Sequence, residues 1–246
     1  LQQLQLSARQ QSARLLRHAG SDRSMLPYHD HSDEAVRARL VARMASEAVA
    51  LLSDAGTPLI SDPGYKLVRD ARAAGRFVTT IPGPCAAIAA MTVSGLPTDR
   101  FLFMGFLPAK AKARGDALAE VAGLRATLVF YESGPRLSAS LSDMALALGD
   151  REACVARELT KLHEEARTGA LTELARYYAD APPKGEIVVV VGPPGEDEPA
   201  TADDADALLR DALERLPVGK AASEVAKATG LDRRALYARA LELKAQ

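Results

Sequence analysis

Short apolar runs, each closed by turn-forming residues, alternate along most of this chain with stretches of helical periodicity. The runs lie at 48–52, 77–81, 101–106, 126–131, 152–159 and 186–191. Between them, 33–47, 65–74, 85–93, 136–148 and 172–179 read as helices from their apolar spacing. In the 136–148 segment Pro135 stands near the start, Leu137, Leu141, Met144 and Leu148 share one face, and Gly149 follows. Ser32 is the expected N-cap of the first helix, and Gly75 the stop of the second. Strands alternating with helices predict an α/β fold with a mostly parallel sheet.

With 246 residues the chain has room for about two domains. A boundary is expected near 107, separating an α/β domain over 1–106 from a second over 107–196. After Gly192-Pro193-Pro194-Gly195 the composition changes. The stretch EDEPATADD reads as a flexible acidic linker, and 204–216 and 220–243 read as helices, the latter broken at Thr229-Gly230. Together they make 197–246 a helical module resembling a helix-turn-helix.

Charge and apolar content exclude some classes. With 31 basic against 32 acidic residues, any surface for a polyanion must be a local patch. No run approaches the ~20 apolar residues of a membrane-spanning helix, and LQQLQLSARQQ lacks the pattern of a signal peptide. The expectation is a soluble, cytoplasmic protein with no membrane partner. Cys85 and Cys154 lie in separate apolar segments, which fits buried thiols in a reducing compartment.

Two Ser-Asp-x-Gly turns, at 53–56 and 61–64, follow the run 48–52, and Pro82-Gly83-Pro84 follows 77–81. In open α/β sheets ligands bind beyond the C-terminal ends of the strands. Glycine lets backbone groups approach a ligand closely, and the aspartates can accept hydrogen bonds from an amine or a ribose diol. Each turn alone reads equally as a connecting loop with a helix cap; together they favour a small-molecule site. Neither G-x-G-x-x-G nor G-x-x-x-x-G-K-[ST] occurs, so a dinucleotide fingerprint and an ordinary phosphate loop are both excluded. Tyr28-His29-Asp30-His31 has no further ligand nearby to complete a metal site. His163-Glu164-Glu165 lacks the second histidine of a zincin helix. No metal is expected.

Five segments in order, SDAGTPLISDPG, VTTIPGPCAA, FYESGPR, ARELTKLHEE and KGEIVVVVG, resemble the tetrapyrrole-methylase-like S-adenosylmethionine-dependent methyltransferases, and more narrowly their ribosomal RNA branch. The resemblance covers about residues 14–195. It implies two α/β domains with S-adenosylmethionine in the cleft between them. It carries cofactor contacts onto Ser53, Asp54, Ala55, Gly56, Ile60, Ser61 and Asp62, and onto Pro82, Gly83, Pro84 and Cys85. From the second domain it adds Tyr131, Glu132, Leu159, Gly185, Ile187 and Val188. The implied activity is methylation of a cytidine 2′-hydroxyl in 16S rRNA of the small ribosomal subunit, by a homodimer. For that reaction orientation and proton removal would carry the catalysis. Glu158 or Glu164 would take the proton, and Lys161 would stabilise the developing alkoxide or hold a phosphate. Read without the family, the same segment is equally a solvated salt-bridge face.

Candidate RNA contacts are Lys110, Lys112, Arg114, Arg136 and Arg157, with Arg233 and Arg234 in the helical module, and such phosphate contacts would make affinity salt-dependent. A Tyr-His-x-His near the family's cleft suggests a substrate-side role for His29 and His31. At the front the family's Thr-Pro-Ile-Gly-Asn-Leu loop is not found, and Leu6-Ser7-Ala8-Arg9 stands where Glu-Asp-Thr-Arg is usual. The expectation is a first sheet without its central strand and weakened cofactor binding. Two alternatives stay open: methylation of a tetrapyrrole ring carbon, disfavoured because those enzymes carry Gly-Asp-Pro in place of SDAGTP, and a ligand-sensing DNA-binding regulator.

Overall fold

The computed structural model describes residues 12–14, 16–18, 20, 25–29, 33–53, 56–195, 202–229 and 231–245. These divide into two compact units. The first takes in residues up to 122 together with 126–192; the second is 123–125 with 193 onward.

In the first unit, helices α1 (Glu34–Arg43), α2 (Tyr65–Ala73) and α3 (Ala86–Ser94) precede strand β1 (Phe101–Phe106) and helix α4 (Ala111–Ala119). Strand β2 (Thr127–Ser133), helix α5 (Gly134–Leu148), strands β3 (Glu152–Arg157) and β4 (Glu165–Ala170), helix α6 (Leu171–Asp180) and strand β5 (Glu186–Val191) follow. The expected cap at Ser32 lies outside the described residues; the N-cap of α1 is Asp33, whose carboxylate accepts from the Ala35 N–H. Gly149, at φ 85°, ends α5 as expected.

The strands form a five-stranded sheet in the order β1-β2-β5-β3-β4. It corrects the expectation of a mostly parallel sheet. The β1–β2 pair is parallel, but β2–β5, β5–β3 and β3–β4 are antiparallel. The reason is connection length. A parallel crossover needs a dozen or more residues, and β3 reaches β4 through the short loop 158–164, which permits only a hairpin. Neither 48–52 nor 77–81 joins a ladder among the described residues. An apolar run is a strand only when a neighbour takes up its N–H and C=O groups, and Phe77 and Ile81 instead stand 91% and 89% exposed.

Alternation along the strands divides the core between the two sheet faces. Leu128, Phe130, Val155, Ile187 and Val189 pack on one face against Leu137, Leu141, Met144 and Leu148 of α5 and Leu171, Leu174 and Tyr178 of α6. Val129, Cys154, Ala156, Val188 and Val190 pack on the other against Ala87, Ala90 and Met91 of α3. The small residues of α3 let it lie close to the sheet, and that contact carries the preceding 82–85 turn to the strand ends.

The second unit contains α7 (Ala202–Arg215), α8 (Val218–Thr229) and α9 (Arg233–Ala245). Its core is Ala205, Leu209, Ala212, Ala221, Ala222, Val225, Leu236 and Ala240. Arg239 reaches Asp206 across 33 residues and also pairs with Glu242, so this tail cation is occupied internally.

Candidate functional site

Non-glycine residues with left-handed backbone mark the site. Among the described residues they are Leu59, Ser61, Glu158 and Thr160, at φ 74°, 54°, 50° and 66°. Each pair straddles one residue; the first lies in the Gly-rich turns 53–64 and the second just past β3, where the expected strand 152–159 stops at Arg157 instead. Strain of this kind costs about 1–3 kcal/mol per residue and gathers at functional loops.

The first strained loop is closed on itself at Gly64. That residue has φ 139°, and a Cβ there would stand 2.6 Å from Leu51 Cδ2 and 2.9 Å from Leu59 Cδ1. Only glycine therefore completes the second Ser-Asp-x-Gly turn. The loop meets the proline turn through Thr57, whose hydroxyl donates to the Pro84 carbonyl at 3.0 Å. It meets the sheet at Gly105, where an added Cβ would lie 3.0 Å from Ser61 Oγ. The ladder register shifts between Phe103 and Gly105, so the strand carries an irregularity where the loop crosses it.

Tyr131 occupies the centre of this rim. Its ring lies edge-on to Phe103 at 4.9 Å and to Phe106 at 5.5 Å. Cys85, Phe103, Tyr131 and Leu159 all pack on the α3 face of the core. Burial chiefly pushes the Tyr131 hydroxyl up, the Cys85 thiol beside it adds to this, and the Ala87 N–H opposes it. One side chain thus touches the proline turn, β1 and the neighbourhood of the second strained loop.

The second strained loop spans 158–164. Cross-strand pairing of Arg157 with Glu165 at 2.7 Å brackets it. Within it the Lys161 N–H donates to the Glu158 carbonyl at 2.9 Å, and the Glu164 N–H to the Lys161 carbonyl at 3.2 Å. The Glu164 carboxylate accepts from the Thr160 N–H. Lys161 Nζ donates to Glu158 Oε1 at 3.0 Å, and a Cβ on Gly185 (φ 92°) would come within 3.0 Å of that same oxygen. Glu158, Lys161 and Gly185 are therefore brought together, as are Cys85 and Leu159 with Tyr131, Gly56 with Pro84, and Ser61 with Gly105. Asp54, Ala55 and His31 lie outside the described residues, and so does the segment 6–9.

Several of the expected site residues have structural partners. Glu132 is 1% exposed, and its oxygens are occupied: Oε1 accepts from the Ser133 N–H at 2.8 Å and Oε2 from the Ser140 hydroxyl at 2.6 Å. Arg136 pairs with Glu132 at 3.3 Å and donates to the Leu107 carbonyl at 2.7 Å. Arg114, 7% exposed, pairs with Asp143 at 2.6 Å and donates to the carbonyls of Pro108 and Ala109. The two arginines pin the 107–109 connection between β1 and α4; Arg114 in particular is too buried to meet RNA. Ile187 faces the opposite core, 1% exposed, and Glu164 braces its own loop. Ser53, Asp62 and Val188 lie along the rim segments, half-buried or buried, and Ile60, Pro82 and Gly83 are exposed. His29 is exposed in the irregular segment before α1. Lys110, Lys112, Arg233 and Arg234 are exposed. Sequence reading passed over Thr57, Phe103, Phe106 and Gly105; a glycine inside the strand FLFMGF was the available signal, since it marks a bulge or a close approach.

Residues 3–175 match the family described as tetrapyrrole (corrin/porphyrin) methylases, and 199–244 match the RsmI C-terminal HTH domain. A ribosomal RNA small subunit methyltransferase I of Erythrobacter litoralis is 58% identical over 95% of this chain and 83% of its own length. The protein of that name in Mesorhizobium japonicum is 51% identical over 94% of this chain and 79% of its own. The crystal structure of diphthine synthase shares the fold, with TM-score 0.56 at 16% identity over 73% of each chain.

The tetrapyrrole methylases are S-adenosylmethionine-dependent, and the rim suits that molecule. Gly105 and Gly185 let Ser61 and the Glu158 carboxylate approach the backbone at positions where a Cβ would crowd them. Ile60 and Phe106 leave apolar surface exposed along the rim, and Thr57, Ser61 and Asp62 place polar side chains on the same loop. The chain is an S-adenosylmethionine-dependent methyltransferase and belongs to the ribosomal RNA small subunit methyltransferase I family within the tetrapyrrole methylases.

Proposed function

We propose that the chain transfers a methyl group to the 2′-hydroxyl of a cytidine ribose in 16S rRNA of the small ribosomal subunit, acting in the cytoplasm as a homodimer. The observation that carries this reading is the braced 158–164 loop, which sets Glu158 and Lys161 side by side next to the rim. S-adenosylmethionine supplies the electrophilic methyl. The protein's part is to hold the acceptor hydroxyl in line and take its proton. Glu158 is the proton acceptor, held against Gly185 and steadied by Lys161, whose side chain, 65% exposed, leaves its ammonium open to a phosphate or the developing alkoxide. Glu164, folded onto Thr160, positions the pair. Exposed Lys110, Lys112, Arg233 and Arg234 supply phosphate contacts whose strength falls with salt. The names of the relatives support the small-subunit RNA as substrate. Among the described residues no helix is long and apolar enough to cross a membrane.

The test is transfer of labelled methyl from S-adenosylmethionine to isolated small subunits, followed by mapping of the modified nucleotide. Label on a cytidine ribose is expected; label on a base, or none at all, refutes the proposal. Sedimentation at working concentration checks the dimer.

A further inference from the structure

The 158–164 loop carries a leucine at its tip. Leu162 is 92% exposed, more than any other large apolar side chain among the described residues. The loop's carboxylates are engaged by the loop itself: Glu158 lies toward Gly185 and Lys161, and Glu164, though exposed, folds onto the Thr160 N–H. Lys161, Leu162 and His163 are left on the outer surface. Two left-handed residues and the hydrogen bonds across the turn hold that surface in one shape, so presenting Leu162 to a ligand requires little further ordering.

We propose that Leu162 is an acceptor-binding residue that packs on the ribose or base of a nucleotide beside the methylated one, with Lys161 placed for the adjoining phosphate. This deepens the RNA-methylation reading and rests on it. The charge pattern favours a nucleotide over a second copy of the chain: an apolar tip flanked by a cation and an imidazole, with the neighbouring Glu164 carboxylate bonded to the loop backbone, suits a sugar or base next to a phosphate, whereas a subunit interface needs a contiguous apolar core.

The experiment compares wild type, Leu162→Ala, Leu162→Asp and, as an exposed-leucine control, Leu146→Ala on α5, where the side chain is 88% exposed. Co-sedimentation with small subunits, steady-state methyl transfer, calorimetric titration with S-adenosylhomocysteine and sedimentation of the free protein are measured on each. Leu162→Ala is expected to weaken subunit binding and raise KM about tenfold, as loss of a buried leucine contact would, with kcat within about twofold. Leu162→Asp should weaken binding further because it sets a carboxylate against phosphate, and Leu146→Ala should match wild type. Unchanged subunit binding in both Leu162 variants overturns the proposal. So does a changed oligomeric state in Leu162→Asp, which would give the tip to a second copy, or a loss of S-adenosylhomocysteine binding, which would give it to the cofactor site. Wild-type protein that binds subunits without methylating them refutes the reaction while leaving the Leu162 comparison readable; wild type that neither binds nor methylates them refutes both.

Discussion

Helix α5 starts at a glycine that faces another backbone. A Cβ on Gly134 would stand 1.6 Å from the Pro183 carbonyl oxygen and 2.8 Å from its carbon. Carbon–oxygen contacts relax to about 3.3 Å, so Gly134→Ala requires the 183–184 peptide to retreat by about 1.7 Å. No flexible side-chain end can yield there instead. Overpacking costs about 1–3 kcal/mol, and the better helix propensity of alanine returns at most about 1 kcal/mol. The expected net loss is about 2 kcal/mol. Gly115, inside α4, is the internal control: nothing lies within 4 Å of its Cβ position, so Gly115→Ala should gain about 0.5–1 kcal/mol. Urea unfolding followed by circular dichroism reads both, as midpoints moving in opposite directions at unchanged slope. Because Pro183 lies two residues before Gly185, Gly134→Ala should also weaken S-adenosylhomocysteine binding, and Gly115→Ala should not. A Gly134→Ala protein as stable as wild type would refute the steric argument.

Other residues give independent checks. Glu132→Ala leaves the Ser133 N–H and the Ser140 hydroxyl without their acceptor and Arg136 without its counter-ion; removing one partner of a buried pair costs about 3–5 kcal/mol, and partial exposure of Arg136 places this at about 3. A loss below about 1 kcal/mol by urea unfolding would show the pair to be dispensable. At Glu165 burial opposes ionisation, but hydrogen bonds from Arg157, Arg167 and Tyr178 outweigh it and hold the carboxyl below its usual range. With the folded value depressed, its stabilising increment is complete above the unfolded value of about 4.3 and is lost as pH falls through the folded value. Glu165→Gln should therefore lose stability near neutrality and show a flatter acid limb; an unchanged limb in a pH series of urea midpoints would contradict this. Burial pushes the Cys154 thiol up to about 11, whereas Cys85 is partly exposed on the rim. Mass spectrometry after brief alkylation should find Cys85 modified first and protected by S-adenosylhomocysteine, with Cys154 reacting only on unfolding. Equal native reactivity of the two would contradict the placement.

Much of this protein is legible from local pattern. Apolar periodicity locates α5, α6, β1, β2 and β5 to within a few residues, because each buries one face or both and its sequence must alternate accordingly. The turns at 53–64 and 82–85 are legible as well, since glycine, proline and short polar side chains are what sharp backbone demands, whereas the 158–164 loop has neither glycine nor proline and the expected strand 152–159 runs into it. β4 is not. EARTGA is an edge strand with little of its surface buried, and its identity comes from the ladder to β3. The runs 48–52 and 77–81 fail in the opposite sense, since their composition suits a strand but a ladder needs a partner.

Side-chain roles divide in the same way. Sequence alone determines that this chain is α/β with a helical module, that its Gly-rich turns follow apolar runs, and which charged residues are available. It cannot decide where those charges point, because one residue of offset on a strand or helix exchanges core for solvent. Tertiary structure decides that Arg114 and Arg136 serve the 107–109 connection, that Glu132 is buried on Ser133 and Ser140, that Ile187 belongs to the core, and that Leu162 is left outside. The reason is that burial and hydrogen-bond partnership are properties of segments distant in sequence. The carbonyls that Arg136 reaches lie 28 and 29 residues away from it, and no local pattern carries that distance.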